Sequence, residues 1–175
     1  MATLERFTTE YVVQEDRIRL SGELAGGETV VLWLTQRLVR HLVPHLTGWL
    51  EAQLPPAGGH AAVQATHQDM VQGFAQQAAR AQLAPEPPVR AQSPVASWRV
   101  DVVHIARSAD AVVLTLQGES KAQQAVVPLP AHALRQWLGI VYDQCLRGDW
   151  PTTAWPAWMG AGAPAHAQLG SVVVH

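Results

Sequence analysis

Eight histidines, one cysteine and few hydroxyl side chains next to bases make up the reactive inventory of this chain. His41 and His45 stand four residues apart, a spacing that places two imidazoles on one face of a helix, where they suit zinc or a similar ion. A third ligand would come from His67, His60 or an acid elsewhere, so His41, His45 and His67 form the candidate metal set. The pair lacks the glutamate that follows the first histidine in metalloprotease helices, and Pro44 lies between the two. His104 keeps phase with Trp98, Val100 and Val102 and reads as a hydrogen-bonded histidine at the edge of a core. Cys145 shares a helical face with Leu138 and Val141, where a thiol behaves as a small inert apolar group. Ser120 and Lys121 adjoin in a turn, but adjacency does not activate a serine, and no Gly-x-Ser-x-Gly elbow occurs.

Phosphate chemistry finds no better footing. The run Gly160-Ala161-Gly162-Ala163-Pro164-Ala165 fits the permissive dinucleotide pattern, yet Pro and Trp precede it where a strand belongs, and Pro164 falls where a helix would start. There is no Gly-x-x-x-x-Gly-Lys sequence. With 12 Lys and Arg against 14 Asp and Glu, a formal net charge of −2, and Lys121 the only lysine, no basic stripe faces a nucleic acid. Arg37 and Arg40 alone do not make one. A single cysteine excludes an internal disulfide and a thiolate zinc cluster. No catalytic residue and no cofactor is assigned, and the apolar runs are too short to span a bilayer. Without a leader-like N-terminus, the expectation is a cytoplasmic protein with no membrane or nucleic-acid partner.

Those residues must be held by a core, and 175 residues that are 48% hydrophobic and 15% charged suffice for one. Period-two alternation over Phe7 to Val13, broken at Gln14-Glu15-Asp16 and resumed from Arg17 to Leu24, predicts a hairpin. Gly26-Gly27 turns the chain into Thr29 to Leu34, a strand apolar on both faces that should be covered on both. Thr35 caps a helix whose apolar stripe runs from Leu38 to Leu50, with Pro44 predicting a kink or a break. A second helix spans about His67 to Leu83, its face read as Met70, Val71, Phe74, Ala78 and Leu83. The Pro-rich stretch 84–94 is an extended connector. Three strands follow, one through Trp98 to Val102, one over 112–117 and one over 122–129. A last helix presents Leu134, Trp137, Leu138, Val141, Cys145 and Leu146 on one face and ends at Gly148.

The expected fold is α+β. Two groups of three antiparallel strands form one sheet or a small sandwich, with a helical pair inserted between them and an amphipathic helix after the last strand. Residues 1–148 make a single domain, and 149–175 a Trp, Pro and Gly-rich tail packed on that domain or on a partner. This order of elements, over about residues 5–147, resembles the head domain of the stalk-bearing DNA-repair and scaffold proteins. The likeness is one of topology, and it departs at Gly148, where those proteins continue into a coiled coil; no functional residue carries over.

Trp150, Trp155 and Trp158 fall in no periodic element, and exposed apolar surface of that size marks an interface. Together with Trp137, Leu138 and Val141 on the last helix they form the candidate interface. The expectation is a non-catalytic interaction or assembly module, a homodimer with room for a further protein partner. The alternative is a small-molecule or metal-binding protein with a pocket between the sheet and the inserted helices.

Overall fold

A computed structural model describes residues 2–54, 61–91 and 95–160. The fold is α+β, with one curled, mixed sheet of seven strands and three helices. Strands β1 (Ala2–Val12), β2 (Arg17–Leu24) and β3 (Thr29–Leu34) form an antiparallel meander. Gly26 and Gly27 take φ angles of 120° and 85° in the second turn, a region that glycine enters without a Cβ penalty. Helices α1 (Gln36–Ala52) and α2 (Ala61–Ala81) follow. Then come β4 (Ala96–Arg99), β5 (Val102–Arg107), β6 (Ala111–Gln117) and β7 (Gln124–Pro130), and finally α3 (Ala131–Arg147).

Two departures from the expected pair of three-stranded groups matter. The sheet order is β4-β3-β2-β1-β7-β6-β5, and the pairs β1·β7 and β3·β4 are parallel, so the sheet is mixed rather than two antiparallel sets. The stretch read as one strand through Trp98 to Val102 is two strands that pair with opposite ends of the sheet. At the handover, the Val100 N–H donates to Trp33 O at 3.0 Å and the Asp101 N–H to Gln117 O at 2.9 Å. The irregularity shifts the alternation by one residue. Trp98 and Val100 turn toward the core, and beyond the break Val103 and Ile105 do, leaving Val102 and His104 exposed. His104 is therefore not at the core edge, because its phase was read across a break.

The concave face carries the core. Cross-strand partners Ile18↔Leu34 and Leu20↔Leu32 lie on it, as do Leu114↔Val127 and Leu116↔Ala125. Gly22 leaves room there for the Leu4 side chain, whose methyls would stand 2.7 Å from a Cβ at that position. Helix α1 adds Val39, Leu42, Val43, Leu46, Trp49 and Leu50 to the same cluster, and α3 adds Leu134, Trp137, Leu138, Val141 and Cys145. Helix α1 begins at Thr35, whose hydroxyl accepts from the Leu38 N–H at 3.2 Å. It runs unbroken through Pro44 to Ala52. Proline removes only the bond to the Arg40 carbonyl, and this occurs on the exposed side of a helix whose other side is anchored in the core.

Helix α3 ends at Gly148, but not through a left-handed glycine, since Gly148 has φ −89° and the left-handed residue is Asp149 at φ 52°. Gly148 is needed for space, as a Cβ there would meet the Tyr11 ring at 2.7 Å. The chain then turns back over the domain and ends its described part in a 3-10 turn, Ala157–Gly160.

Candidate functional site

The residues offered as an interface are used inside the chain. Trp137, Leu138, Val141, Trp150 and Trp158 are buried in the protein's own core, and Trp155 is packed against it. Trp150 is held from two sides: its Nε1–H donates to Asp16 at 2.9 Å, and Tyr11 meets it edge-on at 5.7 Å. Trp158 donates to Glu51 on α1 at 2.9 Å, and Tyr142 packs edge-on against Trp155 at 5.3 Å. An aperiodic Trp segment is thus explained by burial in cis as far as Gly160. Residues 161–175, with the rest of the Gly160–Ala165 run, lie outside the described residues.

His41 and His45 both sit on the exposed side of α1, and His67 is exposed on α2; His60 lies outside the described residues. Among the described residues no three or more His, Cys, Asp and Glu side chains gather where they could hold a metal ion. His41 lines an open cleft of about 560 Å³ with Arg37, Arg99 and Asp101, between α1 and the β4–β5 handover. Cys145 is buried, and burial pushes its thiol up to about 12, which keeps it protonated and a poor nucleophile. Ser120 and Lys121 stay in an exposed turn.

The unexpected feature is α2. The sequence pattern assigns Met70, Phe74 and Ala78 to its inner face, and the structure reverses this. Gln72 and Gln76 are wholly buried, whereas Met70 and Phe74 are 57% and 65% exposed. The cause lies on α3. Arg135 is buried at 8% exposure, no carboxylate pairs with it among the described residues, and desolvation lowers its pKa. A buried cation without a counterion needs neutral acceptors and aromatic faces. Gln72 Oε1 accepts from Arg135 Nη2, and the Trp158 ring lies 5.6 Å from the guanidinium carbon.

The amides then tie three helices together. Gln72 donates to Leu50 O at 3.2 Å on α1, and Gln76 donates to Arg135 O at 2.9 Å on α3. Gln136 donates back to Ala79 O at 3.0 Å. Near the end of α2, Arg80 makes a two-pronged ion pair with Asp143, at 3.0 and 3.1 Å, and reaches Gly139 O at 3.2 Å. Side chains at i and i+4 share a helical face, so fixing Gln72, Gln76 and Arg80 inward drives Met70 and Phe74 outward.

Outside, Met70, Gly73, Phe74 and Gln77 border an open groove of about 410 Å³ with Ala157 and Trp158 of the 3-10 turn. Asp69 is its one charged lining residue. No helix of the described residues is long and apolar enough to cross a membrane, so the exposed pair is not part of a spanning segment. The sequence did contain a signal for this reversal. Five glutamines between Gln68 and Gln82 outnumber the large apolar residues, and Gln72 and Gln76 share the i, i+4 spacing of an inward face.

No known family matches the sequence, and neither a curated protein nor a solved structure matches it.

Proposed function

We propose that the protein is a non-catalytic assembly module that forms a homodimer through the outer face of α2. The observation that carries this reading is the inversion of that helix, whose amides are buried and whose largest apolar side chains face out. Met70 and Phe74 leave water only if another surface covers them, a gain of about 2 kcal/mol for each side chain fully buried. A second copy fits the chemistry. The side chains bordering the groove beside α2 carry one charge, Asp69, so two α2 helices crossing antiparallel about Phe74 oppose no like charges. Phe74 is the anchor, with the groove beside Trp158 of the other copy as its socket.

Light scattering on the full chain tests this. The wild type is expected to be a dimer whose melting temperature rises with concentration, and Phe74→Glu a folded monomer whose melting temperature does not, since a side chain this exposed contributes little to the fold of one copy. A wild type that stays monomeric at high concentration, or a Phe74→Glu variant that stays dimeric, overturns the reading.

A further inference from the structure

A further cavity lies beside the first turns of α1. It measures about 320 Å³ and is lined by Gln36, Arg37 and Arg40 from the first turns of that helix, by Cys145 of α3, and by Trp150 and Trp155. No carboxylate lines it. Arg37 and Arg40, three apart and therefore neighbours on one helix face, enter no ion pair among the described residues. The one acid in the cleft beyond Arg37 is Asp101, which already accepts from Arg99 Nε at 2.7 Å. Cys145 remains a neutral thiol and adds no negative charge. Two cations therefore share a recess with nothing of opposite sign inside it.

The other wall is aromatic and fixed before any ligand arrives. Trp150 is locked by Asp16 and Tyr11, and Trp155 is braced by Tyr142 at an interplanar angle of 76°. Rigid indole walls beside guanidinium forks suit a planar ring that carries an oxyanion, since the fork matches carboxylate and phosphate geometry. Ligand pockets run from about 300 to 1,000 Å³, so this one holds a single ring rather than a dinucleotide.

We propose that this cavity binds a small organic oxyanion, a carboxylate or phosphate borne on one planar ring, with Arg37 and Arg40 holding the oxyanion and the indoles of Trp150 and Trp155 flanking the ring. This site is independent of the α2 face and stands whether or not the protein dimerises.

Nitrogen-labelled full-length protein, titrated in turn with phenyl phosphate, benzoate, inorganic phosphate and phenol, provides the test. Phenyl phosphate or benzoate should shift the indole N–H signals of Trp150 and Trp155 saturably, and whichever binds tighter identifies the headgroup. Inorganic phosphate and phenol, each carrying half of the recognition, should bind at least about tenfold more weakly. Arg40→Gln should weaken binding by about tenfold, the usual scale of one charge-assisted contact, without moving the melting temperature. Three results overturn the proposal: no saturable shift with either ring anion, unchanged affinity in the Arg37→Gln, Arg40→Gln double variant, or phenol binding as tightly as phenyl phosphate.

Discussion

Asp16 terminates the first hairpin in a left-handed conformation, at φ 47°, and its carboxylate accepts from the Tyr11 hydroxyl at 2.8 Å and from the Trp150 indole at 2.9 Å. These two bonds, the Trp150 one foremost, lower its pKa, while the same contact raises that of Tyr11. A carboxyl whose folded pKa is depressed contributes stability that is present above the ordinary aspartate range and is lost as pH falls through the folded value. Asp16→Asn, which keeps an acceptor and tolerates positive φ, should therefore flatten the acid limb of a stability-against-pH curve while folding normally at neutral pH. Asp16→Ala should cost about 1 kcal/mol by denaturant titration at neutral pH, and more if the backbone strain is not relieved. Cys145 makes a separate prediction. With its thiol protonated and buried, it should not react with a thiol reagent in native protein and should react stoichiometrically in denaturant. The inertness of Cys145 was legible from its helical phase. Asp16 was legible only as a turn residue, because its partner Trp150 is 134 positions away.

Helices α1 and α3 could be read from their stripes because each buries apolar residues against one curved sheet. Helix α2 could not, because it packs on other helices through amides, and an apolar-periodicity argument assigns the inward direction to the wrong residues. The buried arginine is the element that α2 is built around. Gln72→Leu should destabilise the protein by about 2 kcal/mol in chemical unfolding, since it leaves Arg135 without its acceptor in a dry setting. The pair Gln72→Leu with Arg135→Leu should recover most of that loss, as replacing a buried polar pair by apolar groups of similar size is often close to neutral. A double variant no better than the single would mean that the guanidinium serves through its stacking on Trp158 instead. Pro44 teaches a related lesson at this scale. A proline that predicts a break in an isolated helix is carried within α1, where core packing on the other face decides the matter.

At the scale of the whole molecule, the strand meander, the inserted helices and the final helix were all visible in the alternation of Phe7 to Leu34 and in the stripes of α1 and α3. The closure of the sheet was not, because a two-residue irregularity at Val100 and Asp101 leaves no mark in composition. Trp150, Trp158 and Met159 belong to the core, so removing residues 149–175 should lower the melting temperature steeply or prevent folding.

The handover between β4 and β5 also bears on the order of assembly. Nearly the whole sheet consists of two hairpin systems, β1 to β3 and β5 to β7, each able to form from neighbouring chain. Strand β4 has no partner in neighbouring chain, since it aligns parallel to β3 across the two inserted helices. Native contacts of Trp98 and Val100 should accordingly be absent from the folding transition state. Conservative truncations there would speed unfolding and leave the refolding rate nearly unchanged, whereas truncations at Leu20 or Leu114 would slow refolding. Strand β4 would then be the last strand of the sheet to dock.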